Sequence, residues 1–279
     1  AETRRDFYFR IADEAPIDTV CLGEVVCSKR SPFIDPVLPE IVERLEAAGK
    51  AVVYSTLALI MSPAEMDAVR DLAAAPEFAV EANDLATAGL LAGRPHWIGP
   101  FVNVYNEGTL EFLVRRGAER VCLPVELPAA SISALAGLGL AAIEVFAFGR
   151  MPLALSARCY HARAHGLHKD GCQYVCAPDL DGMAVESLTG QSFLAVNGTQ
   201  TLSYTLGNLL AEVPALQRMG VASLRLSPHD VDMVAVAKIF RAVADAQADP
   251  DGRQLDPLVG DMPFANGFYH GVEGLTLVE

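Results

Sequence analysis

Four of the six cysteines stand where they could bind a metal together. Cys159, Cys172 and Cys176 form a C-x12-C-x3-C pattern, and Cys27 lies far upstream. Four thiolates suit either a tetrahedral zinc ion or an iron–sulfur cluster. Zinc ribbons usually supply paired C-x2-C ligands, which this sequence lacks. The irregular spacing with one remote ligand therefore favours a [4Fe-4S] cluster over zinc.

The remaining cysteines, Cys21 and Cys122, lie between apolar neighbours and are expected to be small buried core residues. A disulfide among the six is poorly motivated, because no secretory signal is visible and the cytoplasm keeps thiols reduced.

Basic residues surround the four thiols, although the protein as a whole is acidic. They are Lys29, Arg30, Arg150, Arg158, Arg163 and Lys169. Such a basic island could offset the negative charge of a cluster, hold an anionic substrate, or be an ordinary solvated loop. Within it, Arg158 and His161 are candidate substrate-binding residues, and His161 is either a proton donor or an exposed histidine.

Four glutamates end strand-like segments and form a second candidate site: Glu24, Glu81, Glu126 and Glu144. A buried parallel strand should be continuously apolar. A charged residue at its carboxyl end is therefore a candidate functional residue. Each residue taken singly could merely cap the following helix. Together they predict a substrate-binding mouth, because the carboxyl ends of parallel strands meet at one edge. No catalytic residue is assigned.

An alternation of apolar runs and amphipathic stretches predicts the elements that position these residues. The predicted strands span 18–24, 50–56, 78–83, 97–103, 120–126, 142–148 and 221–227. The predicted helices span 2–14, 36–48, 63–74, 85–92, 107–116, 129–136, 205–219 and 231–247.

This alternation predicts one α/β domain over 1–279, a (β/α)8 TIM-type barrel. Only seven strands are visible, and so we expect the first strand to be absent from this chain; an open seven-stranded sheet is the alternative. A Cys-rich insertion at 149–204 interrupts the alternation and is expected to form the cluster site, with a hairpin around Asn197-Gly198.

Composition excludes several classes of function. The chain has 279 residues, 52% hydrophobic, with a formal net charge of −14. That balance opposes intrinsic disorder and a direct nucleic-acid surface. No apolar run reaches the roughly 18 residues of a transmembrane helix, and so a cytoplasmic protein is expected. Nucleotide-binding glycine loops, serine-hydrolase elbows and HExxH motifs are missing from the sequence.

Five segments resemble the U32 "peptidase" family, and more narrowly its UbiV branch, which takes part in oxygen-independent ubiquinone biosynthesis. They span 23–30, 81–84, 143–153, 156–159 and 266–271. The Glu-Val-Phe-x-x-Gly stretch at 144–149, which leads towards a cysteine, is the most recognisable of them.

The resemblance implies that Cys27, Cys159, Cys172 and Cys176 hold a [4Fe-4S] cluster. It also implies a heterodimer with a UbiU-like U32 homologue and cooperation with a UbiT-like lipid-binding protein. The system would hydroxylate a ubiquinone precursor without dioxygen, with prephenate as the proposed oxygen donor. Family members carry a strand ahead of the first helix. The peptidase label has no support, since no nucleophile–base pair or metalloprotease motif is visible.

Two other functions stay open on the sequence. One is hydroxylation of an RNA base, which belongs to a related branch of the family, although the acidic charge disfavours direct RNA binding. The other is a non-catalytic scaffold with a structural cluster.

Overall fold

A computed structural model describes residues 2–279, which form an eleven-stranded sheet flanked by helices. The strands are β1 (Thr19–Leu22), β2 (Ala51–Ser55), β3 (Val80–Ala82), β4 (His96–Ile98), β5 (Ala118–Cys122), β6 (Ala142–Leu155), β7 (Met183–Glu186), β8 (Ser192–Asn197), β9 (Gln200–Asn208), β10 (Ser223–Leu226) and β11 (Phe264–Ala265). The helices are α1 (Glu2–Glu14), α2 (Leu38–Ala47), α3 (Pro63–Ala74), α4 (Leu85–Leu90), α5 (Glu107–Val114), α6 (Ala129–Gly137), α7 (Tyr160–Ala164), α8 (Val213–Arg218), α9 (Met233–Ala244) and α10 (Asp256–Val259).

Seven strands form a parallel row in the order β1-β2-β3-β4-β5-β6-β10. All seven predicted strands are present, which confirms their number and order along the chain, although several are shorter than predicted. The row is curled, as a contact between its last and first strands shows. Nη2 of Arg225 on β10 lies 3.7 Å from Sγ of Cys21 on β1. No backbone pairing joins β10 to β1 within residues 2–279. The structure is therefore an α/β fold with a curled, mostly parallel sheet, and closure into an eight-stranded barrel stays a prediction.

Local chemistry explains the helix starts that the sequence predicted best. Ser62 caps α3, where its Oγ accepts a hydrogen bond from the Glu65 N–H at 3.2 Å, and Pro63 follows at the first helical position. Asp84 and Asn106 cap α4 and α5 in the same way. The helices bury their apolar faces against the sheet, and Phe240 of α9 packs on Phe148 of β6.

The predicted helix at 205–219 is wrong over its first half. Residues 205–208 belong to β9, and α8 begins only at Val213. The reason is a long-range pairing, since Asn208 and Gly207 lie opposite Phe148 and Gly149 of β6. The predicted strand at 97–103 is also too long. It ends at Ile98, because Pro100 opens a short 3-10 turn.

The Cys-rich insertion is built on an extension of β6, which continues past Phe148 to Leu155 and pairs antiparallel with β9. Strands β9, β8 and β7 then form an antiparallel meander. The predicted hairpin is confirmed: Gly198, at a φ of +68°, turns the chain between β8 and β9. None of the helices in the described part of the chain is long and apolar enough to cross a bilayer.

Candidate functional site

The four candidate ligands come together. Cys27, Cys159, Cys172 and Cys176 are free, partly buried thiols that line one small pocket, which we call the four-cysteine pocket. Three come from the insertion, and Cys27 comes from the loop after β1. The other two cysteines lie elsewhere: Cys122 is buried in the core, and Cys21 faces the interior of the curled sheet.

The loop carrying Cys27 is held from both sides. The Glu24 carboxylate accepts hydrogen bonds from the backbone N–H groups of Val26 and Cys27, at 3.1 and 3.0 Å. From the insertion, the Thr199 hydroxyl donates to the Val26 carbonyl at 3.0 Å. Arg30 donates to the Asn197 side chain at 2.5 Å. These contacts fix the loop against the β8–β9 hairpin and thereby join sequence-distant thiols.

The other three thiols sit on short local structures. Cys159 precedes α7, and its Sγ accepts a hydrogen bond from the Ala162 N–H at 3.4 Å. Cys172 and Cys176 flank a tight turn in which Gln173 and Tyr174 both have positive φ. Tyr174 anchors the turn, because its ring packs edge-on against the ring of Phe33, with the ring centroids 4.8 Å apart.

Cations line the same pocket, as the basic sequence pattern indicates. Lys29, Arg30 and Lys169 all border it. Burial raises the pKa of the Cys27 thiol, and the neighbouring Lys29 backbone and Arg30 charge oppose that rise. Burial alone would lower the pKa of Arg30, but Glu24 and Cys176 outweigh it and raise that pKa. The cations therefore favour negative charge in the pocket, while burial opposes it.

The chemistry of this donor set fits a [4Fe-4S] cluster. Four free thiols border one pocket, which is the number of ligands that such a cluster takes, and cations lie beside them. Among residues 2–279, no three His, Cys, Asp or Glu side chains converge on a single metal-ion position. The four thiolates of a cluster bind different irons and need not converge on one point.

The two other candidates in the insertion differ in position. His161 is fully buried and borders the four-cysteine pocket, with Nε2 2.8 Å from Asp179 Oδ2 and Nδ1 3.2 Å from the Val196 carbonyl. The prediction of an exposed histidine is wrong, because this ring packs beneath β8. Arg158 is exposed and does not border either the pocket or the interior of the sheet.

The interior of the curled sheet is a cavity of about 780 Å³, which we call the central cavity. Glu81 on β3 and Glu144 on β6 both line it, and both contact the guanidinium of Arg225 on β10. Ser55 and Asn83 also donate to Glu81, at 2.9 and 3.1 Å. Burial opposes ionisation of Glu81, but Arg225 outweighs it and holds the pKa of this carboxyl below its ordinary value.

Glu24 and Glu126 do not line the central cavity. Glu24 supports the Cys27 loop instead. Glu126 lies at the surface, where it accepts a hydrogen bond from the Tyr105 hydroxyl at 2.5 Å. Partial burial of Tyr105 and this hydrogen bond raise the pKa of Tyr105 to about 12. The structure therefore brings two of the four glutamates together and separates the other two.

Sequence reasoning missed Arg225, which organises the interior. Its signal was a single arginine in the otherwise apolar stretch Ser-Leu-Arg-Leu-Ser at 223–227. Arg120 was missed as well. It lies 3.8 Å from Glu144 and stacks on Trp97, with its guanidinium carbon 4.1 Å from the ring centroid.

Fold and sites define an α/β protein with a four-cysteine pocket beside a central cavity. Residues 8–271 match the model of Peptidase family U32, and the chain belongs to that family. It is 27% identical over 294 residues to "tRNA hydroxylation protein P1" of Bacillus subtilis (strain 168). That alignment covers 95% of this chain and 69% of the relative. No solved structure matches the chain.

Proposed function

We propose that this protein is the [4Fe-4S] subunit of an oxygen-independent hydroxylation system that acts on a ubiquinone precursor in the cytoplasm. The observation that carries the proposal is the four-cysteine pocket, assembled from two distant parts of the chain and bordered by three cations. A hydroxylation role is further supported by the printed name of the Bacillus relative. The UbiV-like segments and the acidic charge favour a quinone precursor over RNA.

Cys27, Cys159, Cys172 and Cys176 would hold the cluster, and Lys29, Arg30 and Lys169 would offset its negative charge. A bound cluster would supply one-electron redox chemistry. The central cavity would take the ring of the substrate, since Trp97, Phe101 and Phe146 give it aromatic walls. Arg225, held by Glu81 and Glu144, would keep the floor of that cavity rigid.

The proposal includes partners. A UbiU-like homologue would form a heterodimer with this chain, a UbiT-like protein would deliver the lipid precursor, and prephenate would be the oxygen donor. We would place the protein partner on the insertion, where five large apolar side chains are exposed. They are Tyr160, Tyr174, Leu180, Leu188 and Phe193.

Hydroxylation of a tRNA base is the second candidate, and one observation favours it. The Bacillus relative carries tRNA hydroxylation in its name and aligns with 95% of this chain. The net charge of −14 would then require a partner to bind the RNA.

A deletion strain grown without oxygen separates the candidates when quinones and tRNA nucleosides are both quantified. We expect ubiquinone to be lost and tRNA hydroxylation to persist, with wild-type chain restoring the quinone and Cys27→Ala failing to do so. Loss of the hydroxylated nucleoside alone would replace this proposal with the second candidate. Unchanged levels of both products would overturn each of them.

The matched control for Cys27→Ala is Cys122→Ala, because Cys122 is buried and borders neither pocket. It should restore ubiquinone as the wild type does. If Cys27→Ala folds and keeps its iron but does not restore ubiquinone, then the role of Cys27 is more than that of a structural ligand of the cluster.

A further inference from the structure

A histidine–carboxylate pair lies in the central cavity, apart from the four-cysteine pocket. His229 Nδ1 is 3.0 Å from Asp181 Oδ1, and the two side chains are 6% and 25% exposed. His229 follows the carboxyl end of β10, and Asp181 lies within the insertion, two residues before β7. Both residues line the cavity. Functional residues of parallel α/β folds concentrate at this end of the strands.

The backbone fixes the orientation of this pair. The Asp230 N–H donates to both carboxylate oxygens of Asp181, at 2.9 and 3.1 Å. Because both oxygens of Asp181 act as acceptors, the 3.0 Å contact with the ring assigns the proton of His229 to Nδ1. Nε2 is then left with its lone pair, and no side chain or backbone group in residues 2–279 is hydrogen-bonded to it.

A cation with a free donor lies in the same cavity. Arg150 on β6 lines it and donates from Nη1 to the carbonyls of Ser203 and Tyr204, at 3.0 and 2.5 Å. Its Nε is buried and has no hydrogen-bond partner within the described residues. Burial lowers the pKa of Arg150. The Asp181 charge opposes that shift, which shows that Arg150 and the histidine–carboxylate pair are electrostatic neighbours.

The ends of β6 and β10 approach closely beside these two residues. Gly149 has a φ of +115°, and a Cβ placed there would lie 2.8 Å from the Ser227 carbonyl oxygen. Only glycine permits this approach. Arg150 follows Gly149 directly and His229 lies two residues after Ser227, which makes the local backbone a rigid support for both.

We propose that His229 is a proton acceptor for a ring compound that carries an ionisable hydroxyl and binds in the central cavity. The O–H bond breaks, the electron pair stays on the oxygen, and the proton moves to Nε2. Asp181 neutralises the resulting imidazolium, and the Arg150 guanidinium attracts the new oxyanion. An ionised ring hydroxyl makes the ring electron-rich, which prepares it for hydroxylation. This inference rests on the proposed function for its substrate class only.

Binding of p-nitrophenol tests the proposal, because its phenolate is yellow and its neutral form is not. The purified holoprotein is titrated at a pH where the free dye is mostly neutral, and protein absorbance is subtracted. We expect the wild type to convert bound dye to phenolate. In His229→Gln the ratio of bound phenolate to bound phenol should fall about tenfold, the equivalent of one unit of pKa.

Asp181→Asn provides a second variant should His229→Gln fail to fold, and it should reduce the phenolate ratio in the same direction. His270→Gln is the matched control. His270 makes a similar pair, with Nε2 2.9 Å from Glu212 Oε1, but does not line the cavity. It should behave as the wild type.

A wild type that leaves p-nitrophenol unbound or neutral would overturn the proposal. A His229→Gln variant that is folded and ionises the dye as well as the wild type would overturn it too. The assay needs no turnover. Ionisation of the dye by a protein whose deletion changes no quinone would keep His229 as proton acceptor and reject the proposed function.

Discussion

At the scale of single residues, the most consequential side chain is Arg225. It is only 17% exposed and contacts the buried carboxylates of Glu81 and Glu144, so that two carboxylates share one guanidinium. Its removal would leave Glu81 buried without a cation and Glu144 with only Arg120, 3.8 Å away. Breaking a buried ion pair from one side costs about 3–5 kcal/mol.

Arg225→Met should therefore lower the free energy of unfolding by about 3–5 kcal/mol, as measured by urea denaturation. Arg115→Met is the control, because Arg115 is 71% exposed and makes only a surface pair with Glu111. Its effect should stay below about 1 kcal/mol. Equal losses in the two variants would contradict the role given to Arg225.

Acid pH should weaken the ion pairs that join Arg225 to Glu81 and Glu144. The pKa of Glu81 is lower in the folded protein than its ordinary value of 4.5. Its ionisation therefore stabilises the fold above that value, and the stabilisation is lost as the pH falls through the lower, folded-state pKa.

Urea denaturation of wild type and Glu81→Gln, repeated from neutral pH to below 4.5, measures this contribution. The wild type should lose stability more steeply with falling pH than the variant, which lacks the titrating carboxyl. Parallel acid slopes would show that Glu81 does not contribute.

At the scale of elements, the contact between β6 and the residues after β10 positions the central cavity. Gly149→Ala would place a methyl group 2.8 Å from the Ser227 carbonyl and force alanine to a φ of +115°. Strain of this kind costs about 1–3 kcal/mol, and we expect thermal unfolding to show a loss of that size.

Gly137→Ala is the companion variant, since Gly137 ends α6 with open space around it and lacks a positive φ. Alanine there should be neutral or stabilising by about 0.5–1 kcal/mol. A Gly149→Ala protein as stable as Gly137→Ala would mean that the two strand ends do not approach as described.

The elements themselves were largely predictable from sequence. All seven parallel strands were found from their apolar runs, and α3 was predicted over its observed bounds because Ser62 and Pro63 mark its start. The helix that was wrongly predicted to begin at Thr205 shows where prediction from local sequence fails. Residues 205–208 are strand only because β6, some fifty residues earlier, lies beside them, and local periodicity carries no signal of that pairing.

The candidate site was predictable in part, for a similar reason. The four cysteines share a residue type, so they could be grouped before any fold was known, and they do line one pocket. Arg225 and the Asp181–His229 pair each depend on strands or loops that meet only in three dimensions. Glu126 shows the opposite error, since its position at a strand end suggested the cavity but its side chain binds Tyr105 on the surface.

At the scale of the whole molecule, the curled sheet places two sites side by side. The segment from Cys176 to Asp181 connects them: Asp179 contacts His161 beside the four-cysteine pocket, and Asp181 contacts His229 in the central cavity. The proposed cluster site and the proposed substrate site would therefore be joined by a short segment of the insertion.

The iron and sulfide content of the protein purified without oxygen tests this account most directly. We expect about four irons and four sulfides per chain, with absorbance near 400 nm. Iron should be lost in Cys27→Ala and retained in Cys122→Ala. A colourless protein that carries a single zinc ion and no iron would contradict the central claim.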